Sequence, residues 1–413
     1  MHFVRTFVAS LVLAVANGLC GADRAAITVV NDLAIARPAE TIVVPFGEVR
    51  RVLGADVPMH HVLVRDAATG QVVPSQVTNF QPNLRPAVYD ELVFQHDFAA
   101  GEKTARFLLE RTKIPVPPYE SKVFARYVPE RLDDFAWEND RIAHRMYGPA
   151  LDTPAAGKGQ LRTSGIDVWA KRFRYLIVDR WYNKGHDAYH VDSGEGLDTY
   201  TVRTGRGCGG TGVWDGQGLA VSKNWASWKV LANGPIRAVF ELTYEPWAAG
   251  DGLRVSEKKR FTVDAGHNLD LIESTFGVEG PAGEVTIAVG LQNPPDATVE
   301  AVVRNEKTAV LGLWQTYPKS GSMGCGVVLA SPAKFAGFAV GGCVADAADK
   351  DKLTNNLVLA RVKNGETLRY AAGAGWDRSG DFPDRASWEA YLAAAAERLA
   401  SPVKATVEVE AGP

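Results

Sequence analysis

From Gly218 to Trp376 the sequence is a succession of short segments in which apolar and polar residues alternate, each closed by a turn. LAVSKNWASWKVLAN, IRAVFELTYEPW, RVSEKKRFTV, LDLIESTFGV, EVTIAVGLQN, AVLGLWQTY, GCGVVLAS and ETLRYAAGAGW follow one another at regular spacing. A period of two sends successive side chains to opposite faces of a sheet, and short connections make neighbouring strands antiparallel. The pattern predicts an all-β protein whose main body, residues 130–413, is a large antiparallel double sheet of supersandwich type. One stretch breaks the rule. Residues 384–400 (DRASWEAYLAAAAERLA) are alanine-rich and carry Trp388, Tyr391, Leu392 and Leu399, which predicts a single amphipathic helix laid on a sheet face near the C-terminus.

The N-terminal part repeats the β pattern on a smaller scale. AITVVND, TIVVPFG, HHVLVRDAATGQVVPSQV, DELVFQHDF and ARFLLER, separated by turn residues, predict a β-sandwich over residues 25–118. His60 and His61 stand at a strand start and fit a structural or surface role. Pro115, Pro117, Pro118 and Pro129 mark residues 112–130 as a surface linker.

The first residues, with Arg5, an apolar run from Phe7 to Ala16 and small residues beyond, read as a secretory signal peptide over residues 1–24. Leu19 stands before Cys20 where a lipoprotein signal wants a small residue, which favours ordinary cleavage and export to the periplasm or medium. No other segment is apolar enough for a membrane span. Among the three later cysteines, Cys325 and Cys343 are the expected disulfide pair and Cys208 is left over. With 45 basic against 48 acidic residues, a net charge of −3 gives no global attraction to nucleic acid.

Polar chemistry concentrates between Trp137 and Trp214. WENDRIAHRMYGPA, SGIDVWAKRFRY and YHVDSGEGLDTYTVRTGRGCGGTGVW crowd Asn, His, Arg, Lys, Tyr and Trp among glycines that a packed sheet does not require. Here RFRYLIVDRWY reads as a strand with Phe173, Tyr175 and Ile177 on one face. Trp137, Trp169, Trp181, Tyr182 and Trp214 offer flat faces for a sugar ring, although tryptophan is on average largely buried. Asn139, Arg141, Arg145, Lys171 and Arg203 suit hydroxyls, a carboxylate or a sulfate, with a structural ion pair the plainer role for each cation. Arg206, set between glycines, is the strongest anion candidate. His144 and His190, each beside a tyrosine (Tyr147 and Tyr189), are the candidate proton-transfer groups. His190 and Asp192 share a face in an extended strand, so a divalent metal is the one cofactor suggested, though a zinc or calcium site needs further ligands. No carboxylate pair is singled out for glycoside hydrolysis, and no nucleophile-elbow or nucleotide fingerprint is present.

At these same motifs, and at the later YAAGAGWDRSGDF, the chain resembles a bacterial exported family labelled domain of unknown function 4861, met in polysaccharide-utilisation loci and similar to the oligosaccharide dehydratases of ulvan breakdown. The resemblance spans most of the chain after residue 25 and brings no residue assignments. It implies β-elimination on a uronate-containing oligosaccharide or polysaccharide, by loss of water at a terminus or by chain cleavage, giving a 4,5-unsaturated uronate. In that chemistry Asn139, Arg141, Lys171 and Arg206 are expected to neutralise the carboxylate, His144 or His190 to act as base, and Tyr147 or Tyr189 as acid. The alternatives are a glycoside hydrolase on the same scaffold and a non-catalytic glycan-binding protein.

Overall fold

The computed structural model describes residues 22–343 and 353–410, so the expected signal peptide and Cys20 lie almost wholly outside the described residues. The all-β expectation is met: antiparallel sheets dominate, with helices α1 (Phe46–Leu53), α2 (Val178–Lys184) and α3 (Arg385–Ala400). Among the described residues no helix is long and apolar enough to cross a membrane.

The base layer is an eight-stranded sheet. Its order is Ser227–Ala232, Arg237–Ala248, Arg254–Asp264, Leu269–Glu279, Thr367–Trp376, Gly321–Leu329, Val310–Tyr317 and Thr298–Asn305. In Arg254–Asp264 the inward positions are Val255, Glu257, Lys259, Phe261 and Val263. The two charges there answer each other, Lys259 Nζ donating to Glu257 at 2.5 Å and to Thr211 at 2.7 Å, so the core tolerates them. Two smaller sheets cover the inner face. One, built around Cys208–Trp214, Glu284–Gln292 and Asn355–Lys363, packs over one part; the other, which we call the site sheet, packs over the rest. Its order is Gly196–Asp198, Asp167–Lys171, Ile142–Met146, Asp134–Asn139 and Val123–Val128. That last strand lies inside the stretch read as linker.

Helix α3 is where sequence pattern and packing agree best. Asp384 caps it by accepting from Ser387 N at 2.8 Å, and Trp388, Leu392 and Ala396 turn inward one turn apart. The sheet beneath is stripped of side chains at Gly312, Gly324, Gly326 and Gly375 to admit them. A Cβ on Gly324 would lie 2.4 Å from the Trp388 ring. Gly324→Ala is therefore expected to cost about 1–3 kcal/mol through overpacking. A chemical-denaturation midpoint checks this, and an unshifted midpoint would mean that the helix rides on the sheet loosely.

The N-terminal sandwich pairs a sheet of Arg37–Pro45, Glu91–Phe98 and Ser75–Val77 with one containing Arg24–Val30, Thr104–Arg111, Val62–Asp66 and Val72–Val73. Its outer strand comes from the far end of the chain, Lys404–Val409 running antiparallel to Arg24–Val30. The expected disulfide does not form. Cys325 is buried in the main core, close to Cys208, whereas Cys343 packs with Trp214 and Leu219 in a separate apolar cluster, and all three are free thiols.

Candidate functional site

Strand parity sorts the polar residues of the site sheet. In Ile142–Met146 the side chains of Ile142, His144 and Met146 face the base sheet, while Ala143 and Arg145 face away. His144 is 2% exposed, stacked on Trp137 at 5.5 Å, and its Nδ1 lies 3.0 Å from the Asp167 carbonyl. A carbonyl only accepts, so Nδ1 carries the proton and Nε2 the lone pair, 3.8 Å from Asp270. Burial holds the His144 imidazole down near about 4 and pushes the Asp270 carboxyl up to about 7, so both are neutral between those values.

The two shifts have opposite consequences for stability. Folded His144 binds fewer protons than its unfolded form, with ordinary value 6.5, so its share of stability rises with pH from about 4 to 6.5. Folded Asp270 binds more than its unfolded form, ordinary value 3.8, so its share falls as pH rises from 3.8 to about 7. In the native protein these largely offset. Relative to it, His144→Gln is expected to lose stability as pH rises through this window and Asp270→Asn to gain it, read from urea midpoints. Parallel pH profiles in both variants would refute the assignment.

The outward face of the site sheet carries the dense chemistry. Arg145 is enclosed there. Its Nε donates to Asp167 at 2.6 Å, Nη2 to Asp198 at 2.8 Å and Nη1 to the Tyr189 hydroxyl at 3.2 Å, with Asp134 at 3.6 Å. Trp169, Tyr147 and Tyr189 surround the guanidinium at 5.3, 5.3 and 5.7 Å. One cation faces three carboxylates, and burial raises two of them, Asp134 to about 6 and Asp198 well above the usual carboxylate range, with Arg145 opposing. The Tyr147 hydroxyl donates to Asp167 at 3.1 Å and Tyr182 to Asp134 at 3.1 Å. Beside this group Lys171 Nζ donates to Glu138 at 2.8 Å, and burial lowers the ammonium.

Residues 172–195 roof this layer, and here the structure corrects the sequence reading. RFRYLIVDRWY is not a strand. Residues 172–176 form a loop and the chain then turns into α2, because the Glu138 carboxylate accepts the N–H groups of Ile177 and Val178 at 2.8 Å and nucleates the turn. Phe173 and Tyr175 are exposed and stacked at 5.2 Å. Trp181 and Tyr189 each stack on Trp169, at 5.6 and 5.0 Å. Trp169 and Trp181 are each 1% exposed, so both floor the roof as core instead of meeting solvent.

At the rim of the roof the buried layer reaches the surface. The Tyr189 hydroxyl accepts from Arg145 and, at 3.3 Å, from Arg131 Nε. His186 Nδ1 lies 2.8 Å from that hydroxyl and 3.1 Å from Arg131 Nη2. Since arginine only donates, His186 accepts at Nδ1 and carries its proton on Nε2; burial and the nearby Arg131 lower this imidazole. His190 stands edge-on to His186, ring centres 5.0 Å apart, its Nδ1 2.9 Å from the Asp198 carbonyl, which leaves the Nε2 lone pair free. Both imidazoles are exposed. Among the described residues Arg131 has no carboxylate within ion-pair distance.

The other sequence candidates lie elsewhere. Asn139 is buried and structural, donating to the Asp264 and His267 carbonyls at 2.7 Å. Arg141 pairs with Asp381 at 2.5 Å and borders a cleft of about 450 Å³ at the seam with the N-terminal sandwich. Arg206 is fully buried between sheets, its guanidinium held by Ser164 and the Thr211 carbonyl, so the glycines around it serve close packing and not an anion. Arg203 is exposed on a turn, and Trp214 packs against Gly341. Asp192 is occupied by Arg172 and by the N–H groups of Gly194 and Gly196, so it does not converge with His190 on a common point. Among the described residues no group of three His, Cys, Asp or Glu side chains is arranged to hold a metal. Arg131 and His186 were missed: Arg131 lies just past the proline-rich stretch, and the exposed His186 three positions before Tyr189 was the available clue.

The family described as a domain of unknown function, DUF4861, matches residues 29–405. An uncharacterized protein of Formosa agariphila is 30% identical over 389 residues, covering 92% of this chain and 93% of its own. Among solved structures, a protein in glycosyl hydrolase family 38 from Enterococcus faecalis aligns with TM-score 0.48 at 11% identity, covering 95% of this chain and 48% of that one. An α-mannosidase from Enterococcus faecalis aligns with TM-score 0.47 at 9% identity, over 94% and 46%. The chain spans about half the length of these solved proteins.

Proposed function

The chain belongs to the DUF4861 family, and we propose that it is an exported glycan-active carbon–oxygen lyase performing β-elimination on uronate-containing oligosaccharides at the His186–Tyr189–His190–Arg131 rim. The observation that carries this reading is Arg131, a guanidinium with no carboxylate within ion-pair distance among the described residues, beside two exposed imidazoles of opposite tautomer. Elimination needs a cation on the substrate carboxylate, a base for the carbon 5 proton and an acid for the oxygen on carbon 4.

His190 Nε2 takes the carbon 5 proton while Arg131 binds the carboxylate, where charge gathers as the carbanion forms. The bond from carbon 4 to its oxygen breaks, and that oxygen takes the His186 Nε2 proton. His186 Nδ1 takes the Tyr189 phenol proton in turn. The negative charge then rests on the Tyr189 oxygen between the donors of Arg131 and Arg145, and solvent returns the proton held on His190. Tyr189 acts through His186, and Arg145 positions Tyr189. A glycan leaving group makes the reaction chain cleavage; a hydroxyl makes it dehydration.

Hydrolysis by paired carboxylates is less well served, since Asp134, Glu138, Asp167 and Asp198 are buried against Arg145, Lys171 or backbone N–H groups. The test is ultraviolet absorbance of the conjugated product from a panel of uronate oligosaccharides, with and without chelator. Mass spectrometry tells loss of water from cleavage. Reducing ends released without that absorbance would overturn the lyase reading in favour of hydrolysis. Affinity without turnover would leave only a binding protein.

A further inference from the structure

On the flank of the site sheet, where its edge strand Val123–Val128 meets Ser227–Ala232, a groove of about 310 Å³ is lined by Tyr127, Asp133, Pro149, Trp225 and Trp228. Small-molecule sites run from about 300 to 1,000 Å³, so this one suits a single ring and not a chain. Trp228 is 43% exposed, an unusual state for so large an apolar side chain on a strand. It lies stacked on Tyr127, ring centres 5.2 Å apart and planes 21° from parallel, and Trp225 meets Tyr127 edge-on at 6.0 Å. The result is a flat aromatic platform open to solvent.

Asp133 borders it with capacity left over. Asp133 accepts from the Tyr127 hydroxyl and from Ala150 N at 3.2 Å, while a carboxylate can accept about four hydrogen bonds. Trp225 is 3% exposed and closes the inner wall of the groove. A flat apolar face ringed by hydroxyls is the shape of a pyranose. The carboxylate Asp133 is the one charged side chain lining the groove, which disfavours an anionic ring.

We propose that this groove is a subsite for one uncharged pyranose residue, stacked on Trp228 and hydrogen-bonded by Asp133. Its position deepens the glycan reading and rests on it. Asp133 and Arg131 stand two residues apart, about 7 Å at most, across a turn in which Leu132 and Asp133 adopt left-handed φ values of 52° and 65°. The cation serves the His186–Tyr189 side and the carboxylate the groove. A glycan with its uronate on Arg131 thus directs a neighbouring neutral sugar toward Trp228.

The experiment is saturation-transfer NMR and calorimetric titration of the whole protein with cellobiose, xylobiose and mannobiose, and with digalacturonate. The neutral disaccharides should show saturation concentrated on one ring face. Their affinity should fall about tenfold or more in Trp228→Ala and recover largely in Trp228→Phe, with near-ultraviolet circular dichroism confirming the fold. Digalacturonate binding should not respond to Trp228→Ala. Absence of saturation for all three neutral sugars, equal affinity in Trp228→Ala, or an equal loss for digalacturonate would each overturn the subsite. These readouts need no unsaturated product, so failure of the lyase reading is separately visible.

Discussion

Arg145→Met should destabilise the protein by about 3–5 kcal/mol, the usual penalty for stripping the partner from a buried charge. Methionine keeps much of the volume, so packing loss is a minor part. What is lost is the guanidinium that reaches all three buried carboxylates, along with a donor to the Tyr189 hydroxyl. Asp198→Asn is the informative contrast. Burial already disfavours the charge on that carboxyl, and an amide oxygen can still accept from Arg145, so the cost should stay under about 1.5 kcal/mol. Chemical denaturation with an unchanged slope reads both numbers. If the Arg145 variant shifted no more than the Asp198 variant, the layer under α2 would not be organised by the arginine.

The second large effect is on rate. His190→Ala should lower elimination by about 10²–10⁴-fold, the range typical of losing a positioned proton-transfer group. The imidazole is exposed and makes a single hydrogen bond to a carbonyl, so the melting temperature should hardly move. Arg131→Met should also abolish most turnover, raising KM because the carboxylate loses its partner, whereas Arg131→Lys should restore part of the binding without the fork that engages Tyr189 and His186 together. His144→Gln serves as the internal control. That side chain is enclosed against Trp137, so it should change the pH dependence of stability and leave the catalytic rate within a few-fold. Equal rate losses in the His144 and His190 variants would transfer the site to the inner face.

Much of the fold was legible because sheets write their geometry into sequence with a period of two. Arg254–Asp264 and its neighbours could be paired by eye, and the capped helix at Arg385–Ala400 stood out against them. What escaped was decided at a distance. Whether RFRYLIVDRWY extends or coils depends on Glu138, about forty residues earlier, presenting a carboxylate to two backbone N–H groups. Arg206 among its glycines resembles an anion cradle locally, and only the sheets closing over it reveal a core residue. His144 could have been placed by parity, since Ile142 and Met146 flank it on the same face. The equivalent residue on the outward face was Arg145, and it organises the layer beneath the roof.

The pairing of Arg24–Val30 with Lys404–Val409 has a consequence for the order of assembly. The rest of the small sandwich lies within residues 24–111, yet its outermost strand, Lys404–Val409, follows the whole main β body in sequence. Closing that contact spans nearly the whole chain, the kind of non-local pairing that slows folding. Until it forms, the edge of Arg24–Val30 presents unpaired N–H and C=O groups to any other strand. A nascent chain of this design gains from being held unfolded until Lys404–Val409 has been made, and that pairing then ties the sandwich to the segment that follows the main β body.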